Sequence, residues 1–272
     1  MEYLIAVDME GVHDVMGEPY NVSIRPIGKD TKQYATAVAS ATKEVNVAIN
    51  ALFESGATKV FVWDNHAGGG NLDFSKIDPR AQQLIVDSAK PRMIFLSEYN
   101  FAGIVFIGYH SRAGSIHGVL AHTYNGIDIQ YMKINGKPVG EFDIDSYIAG
   151  EYGVPPIFVA SDDVCIGQVL ERSPDTVTVM TKIGKGRRKA EFLDEGEVLS
   201  AIDKGVRAAA AKKVSPIKLT FPCEYEIRYS SMDTSEWILE SRIEQVPTLH
   251  YGEDAHTLRA TLRSVDDLRP FL

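Results

Sequence analysis

An α/β fold with a parallel-rich, Rossmann-like N-terminal sheet is the architecture this sequence predicts, on three observations. The apolar run Tyr3 to Val7 reads as a buried strand. Residues 31–56, TKQYATAVASATKEVNVAINALFESG, carry Ala, Val, Ile and Leu at helical spacing and stop at Gly56. Two further apolar runs follow, Thr58 to His66 (TKVFVWDNH) and Phe101 to His110 (FAGIVFIGYH). Strand, helix, strand, segment, strand is the rhythm of a parallel α/β sheet. The Gly- and Pro-rich residues 11–30 form the loop between the first strand and the helix.

Beyond residue 118 the texture changes, so the chain divides into residues 1–117 and a mixed α/β second domain, 118–272. GIDIQYMKINGKPV alternates about Asn135-Gly136, a hairpin signal. Residues 141–153 read as a helix with Glu141 in its first turn, and Val154 to Asp163 as a buried strand ending on acids. Thr176 to Gly184 reads as a strand, Arg188 to Lys212 as helical, residues 216–230 and 242–252 as strands, and a final helix starts near Asp254.

The chain has 272 residues, 44% hydrophobic and 24% charged, enough for one large core or two modest ones. A net charge of -9, with no basic block longer than Gly184 to Lys189 (GKGRRK), argues against a nucleic-acid partner. Cys165 and Cys223 lie far apart without C-x-x-C pairing and read as free, buried thiols of a reducing compartment. The start lacks the basic region of a signal peptide, and no window approaches the roughly 18 apolar residues of a membrane span. A cytoplasmic protein with no membrane partner is expected.

Each N-terminal strand finishes on metal-competent side chains: Asp8 and Glu10, then Asp64 and His66, then His110. In an open parallel sheet, ligands bind beyond the carboxyl ends of the strands, so these residues are expected to meet. A spacing of two places Asp8 and Glu10 on one side of the chain. A mix of His with Asp and Glu suits Zn²⁺ or Mn²⁺ better than Mg²⁺ or Ca²⁺, and two ions sharing a bridging carboxylate would neutralise the buried acids. Taken singly, a D-x-E can cap a turn, and a lone His66 or His110 can be a hydrogen-bonded structural histidine. The joint pattern favours the metal. His13 and His117 are near enough to these positions to support them, whereas His250 and His256 are not. HAGGGN, His66 to Asn71, lacks the context of a phosphate cradle and reads as a flexible active-site loop. Asp162 and Asp163 suit a helix cap better than a substrate contact.

AVDMEG, WDNH, GYHSRAG, GVLAHTY, INGKPVGEFDIDSYIAG and VASDD occur in this order and at characteristic separations. Together they resemble the motifs of the binuclear-zinc D-aminopeptidase family, first known from a bacterial dipeptide-transport operon. The similarity runs from residue 3 to about 260 and departs in the glycines of AGGGN. The resemblance implies two intertwined α/β domains and two Zn²⁺ per chain. Asp8 would bridge them, with Glu10 and His110 on one ion, and His66 and Glu141 on the other. It gives His122 a catalytic role and implies a homo-oligomer, a decameric ring.

The expected activity is hydrolysis of the N-terminal peptide bond of short peptides, with D-amino-acid preference, by water activated at the two zinc ions. His122 would carry the proton, Asp64 would orient a ligand imidazole, and Arg112 would hold the substrate carboxylate. A metal-dependent phosphoesterase is the alternative, though a D-x-D nucleophile is missing. A non-catalytic peptide-binding protein with a degenerate site is another.

Overall fold

The computed structural model describes residues 1–16, 32–87 and 89–272. The expected Gly- and Pro-rich loop lies, from residue 17 on, outside the described residues. In chain order the elements are β1 (Glu2–Val7), α1 (Lys32–Glu54), β2 (Lys59–Asp64), β3 (Gln82–Gln83), β4 (Phe101–Ile107), β5 (Ile129–Ile134), β6 (Lys137–Val139), α2 (Glu141–Glu151), β7 (Pro156–Asp162), α3 (Asp163–Arg172), β8 (Val177–Gly186), β9 (Lys189–Phe192), α4 (Glu195–Ala211), β10 (Cys223–Tyr229), α5 (Met232–Arg242), β11 (His250–Tyr251) and β12 (Thr257–Leu262).

They build a seven-stranded sheet, β3-β2-β1-β4-β7-β8-β9, and a five-stranded one, β11-β12-β10-β5-β6. The first is parallel except for the β8–β9 pair, and the second is antiparallel throughout. The fold is thus α/β with a parallel-rich first sheet. β1 lies between β2 and β4 and is covered on both faces, which is why it is apolar without alternation. Its Tyr3, Ile5 and Val7 join the core under α1 and α4, and Leu4 and Ala6 join the core shared with the second sheet. α1 buries Ala37, Ala41, Val45, Ala48, Ile49 and Leu52 on one face, and packs against the Val198, Ile202, Val206 and Ala209 stripe of α4.

The Asn135-Gly136 hairpin joins β5 to β6 with φ of 49° and 75°, as a two-residue primed turn requires. Both cysteines are free and buried. No helix among the described residues is long and apolar enough to cross a membrane.

Several expectations are corrected. Residues 188–212 are not one helix, because Lys189–Phe192 folds back on β8 as β9 before α4 begins. In residues 216–230 pairing starts at Cys223. Residues 242–252 contain the end of α5 and two paired residues, His250–Tyr251. Instead of a final helix from Asp254 there is β12, whose Leu258, Ala260 and Leu262 alternate into the core beside β10. Sheet pairing outweighs the local helical composition there. The second domain is expected to begin at residue 118. β7, β8 and β9 come after that point and complete the first sheet, so the later part of the chain contributes to both.

Candidate metal centre

β1, β2 and β4 run parallel side by side, with Val7 level with Asp64 and Ile107, so their carboxyl ends open at one edge. β1 ends at Val7, and a turn rather than strand alternation brings Asp8 and Glu10 together. The Met9 amide lies 2.9 Å from Asp8 Oδ1 and 3.3 Å from Glu10 Oε2, donating to both. This turn crosses the one after β4 too closely for side chains. A Cβ on Gly11 would stand 2.1 Å from the Tyr109 carbonyl oxygen, and one on Gly108, where φ is +75°, would stand 2.1 Å from that of Asp8.

From the other side of the turn comes Lys182 of β8. It is fully buried, and its ammonium donates to the carbonyls of Glu10 (2.6 Å), Val12 (2.5 Å) and Val15. Burial lowers its pKa to about 8. Glu141 enters from the second sheet, through the β5–β6 hairpin, as the first residue of α2, where the helix N-terminus favours a carboxylate. The Tyr124 amide donates to its Oε1 at 2.7 Å.

The structure brings all six expected residues together. His66 Nδ1 is 2.8 Å from Asp8 Oδ1 and 3.2 Å from Glu10 Oε2. His110 Nε2 is 3.1 Å from Glu141 Oε1 and 3.5 Å from Asp8 Oδ2. His122 stacks on His110 at 4.1 Å, with its Nε2 3.8 Å from Glu141 Oε1. Three groups, Asp8-Glu10-His66, Asp8-His110-Glu141 and Glu10-His110-His122, each hold their ligand atoms within 4.8 Å of one another. Glu10 therefore has His66 on one side and His110 with His122 on the other, and Glu141 lies with Asp8 and His110. Asp8, Glu10, His66, His122 and Glu141 line one cavity of about 360 Å³.

The donor chemistry fits cations. His110 Nδ1 lies 3.0 Å from the Ser111 carbonyl, which can only accept, so Nδ1 carries hydrogen and a neutral ring turns its Nε2 lone pair toward two carboxylates. That Nε2 and the Nε2 of His66 are buried without a hydrogen bond. Lone pairs facing lone pairs in a buried site repel unless a cation or a proton stands between them. The charges show the same tension. Burial and the facing Glu10 push Asp8 up to about 7. Against burial, His66 holds Glu10 well below the usual carboxylate range, and His110 holds Glu141 at about 2. The carboxylates in turn raise His66, and raise His110 to about 10. His122 moves the other way, lowered by burial and by the His110 charge.

The residues expected to support the centre are placed otherwise. Asp64 accepts from the amides of Asn71 and Leu72 and from the Asn71 side chain, so it fastens the glycine loop rather than an imidazole. Arg112 packs behind Gly140 and is absent from the cavity wall. His13 turns away to the Leu193 carbonyl, and His117 is exposed. Asp162, by contrast, is the helix cap expected of it, accepting from the Cys165 amide at the start of α3. Sequence reasoning missed Lys182 and a cluster around Asp145. Arg92 grips Asp145 with Nε (2.6 Å) and one terminal nitrogen (2.7 Å), while Tyr109 and Tyr124 donate their hydroxyls to the same carboxylate. Two signals were available: Asp145 falls four residues after Glu141 on one helix face, and Lys182 is the one charge within the expected strand Thr176 to Gly184.

Buried acids and imidazoles gathered at the carboxyl edge of an α/β sheet, beside an open cavity, are the centre of a hydrolytic metalloenzyme. The chain belongs to the D-aminopeptidase family, a family of peptidases whose sequence pattern matches residues 1–270. It is 30% identical over 240 residues to the D-aminopeptidase of Bacillus subtilis (strain 168), a match covering 87% of this chain and 84% of that protein. It is also similar to the structure of the Zn-dependent D-aminopeptidase DppA from Bacillus subtilis, a self-compartmentalizing protease. The TM-score is 0.85 at 25% identity, covering 98% of this chain and 93% of that one.

Proposed function

We propose that this chain is a zinc-dependent aminopeptidase that releases the first residue of short peptides, with preference for a D-configured one. The observation that carries the reading is the buried meeting of Asp8, Glu141 and the Nε2 of His110, a donor set that cations reconcile. Asp8, Glu10, His66, His110 and Glu141 would hold the metal, expected as two zinc ions. Bound there, zinc supplies a Lewis acid for the scissile carbonyl and makes water more acidic.

The chain's own residues supply the rest. The His122 Nδ1 is 2.8 Å from the Leu120 carbonyl and so keeps its hydrogen, leaving Nε2 to accept a proton from the attacking water and pass it to the leaving amine. A lowered pKa keeps that nitrogen free near neutral pH. The Tyr124 amide fixes Glu141, and Lys182 fixes the turn bearing Glu10. The related DppA is described as self-compartmentalizing, and we place this chain in a homo-oligomer too, a decameric ring.

Elemental analysis and hydrolysis of D-Ala-D-Ala beside L-Ala-L-Ala test the reading. About two zinc per chain with faster release from the D peptide is the expected result. Equal or L-only cleavage would refute the stereochemical part, and magnesium-only activation with turnover of phosphate esters would refute the whole.

A further inference from the structure

We propose that Arg92 receives the free C-terminal carboxylate of a short peptide, and that the cavity beyond it seats the residue bearing that carboxylate. This rests on the aminopeptidase reading above. Arg92 stands between two cavities: the one containing the metal centre, and a second of about 190 Å³ lined in part by Trp63, Val86, Lys90 and Met93. Asn65, Gly68 and Arg92 belong to the walls of both, so the second continues the first.

The guanidinium is held from several directions. Asp145 takes Nε and one terminal nitrogen, and the rings of Trp63 and Tyr124 lie 5.1 and 4.8 Å from its central carbon. The remaining terminal nitrogen has no hydrogen-bond partner among the described residues, and the side chain is 18% exposed. Fixed, charged and with one pair of N–H groups spare, it is a preorganised receptor for an anion. It lines the same cavity as Asp8, Glu10, His66 and Glu141, so it faces the metal centre across shared space.

Lys90 adds a second cation at the far cavity. The two side-chain carboxylates there, Asp64 and Asp87, are each engaged by backbone amides. A peptide bound with its amino end at the metal centre runs about 3.3–3.6 Å per residue, and Arg92 is on the wall of the same cavity, so the carboxyl end of a short chain lies on its side of the site. The arrangement selects short peptides with an uncapped carboxyl end.

The test compares D-Ala-D-Ala with its C-terminal amide on the zinc-loaded protein. Wild type is expected to show a KM about tenfold or more higher for the amide at similar kcat, a discrimination typical of a lost charge-assisted pair. Arg92→Lys is expected to shrink that ratio to within about threefold, while Lys90→Gln, at an exposed position, shrinks it less. Because Arg92→Lys leaves Asp145 half-paired, the double variant Arg92→Gln/Asp145→Asn gives a charge-neutral control, expected to treat acid and amide alike. Equal KM values in wild type, or a ratio unchanged by both Arg92 variants, would overturn the proposal. If neither peptide is cleaved the aminopeptidase reading falls, and calorimetric binding of acid against amide still decides for or against Arg92.

Discussion

His122 differs from the other two imidazoles of the centre in being pushed toward the neutral form, and the Leu120 carbonyl decides which nitrogen keeps the hydrogen. His122→Ala is expected to retain its zinc yet lose about 100-fold or more in kcat, as removal of a proton carrier does. In the wild type, kcat is expected to fall as pH drops and His122 takes a proton, with the inflection below the ordinary histidine value of about 6.5. The variant's profile should lack that limb. Glu44 offers a second measurement. It is fully buried, accepts from the His13 amide at 2.8 Å, leaves its other oxygen unpartnered, and burial pushes it up to about 7. A carboxyl raised on folding contributes stability that is complete below its unfolded pKa and lost as pH rises through the folded one. Glu44→Gln lacks this loss, so its advantage over wild type in denaturant unfolding should grow between about pH 4.5 and 7 and then level off, at a size on the order of 3 kcal/mol. Donors at strand ends were legible because apolar runs in the sequence stop at them. Glu141 was not, because its strand-and-turn context lies in the other sheet, and it entered through motif resemblance alone. Arg92 was illegible for a similar reason, sitting 53 residues before the Asp145 that makes sense of it.

β8 reaches the centre without contributing a ligand. Its Lys182 replaces water for three carbonyls of the turn that presents Glu10. Lys182→Met strands those acceptors in a buried place, and is expected to cost about 2–4 kcal/mol in unfolding free energy. Zinc affinity, read by competition with a chelator, is expected to fall about tenfold or more, as when groups behind metal ligands are removed. Unchanged affinity would assign Lys182 to the core alone. Elements with one strong local signal were readable: the long α1 with its apolar face, and the Asn135-Gly136 hairpin. α5 was missed because it buries little more than Ser235 and shows no apolar stripe. β12 was misjudged because its pairing partner, β10, lies some thirty residues away, and that partner rather than local propensity settles its form.

The centre joins the two sheets, since Asp8, Glu10, His66 and His110 come from the edge of the first, and Glu141 follows the β6 strand of the second. Ligand binding to the folded form alone raises its stability in proportion to the logarithm of ligand over Kd. Zinc is therefore expected to raise Tm in calorimetry as one transition, and a chelator to lower it, with no separate melting of the second sheet. The α/β class was legible from composition and rhythm. The strand order was not, because nothing local marks β7, β8 and β9 as neighbours of β4 rather than members of the later sheet. That crossing has a practical outcome. Cleaved at the exposed Gly114, the chain would yield an N-terminal fragment with β4 as a bare, sticky margin where β7 had been, and a C-terminal fragment deprived of its template. Such fragments suit complementation: co-expressed they can restore each other, while each alone is destined for aggregation.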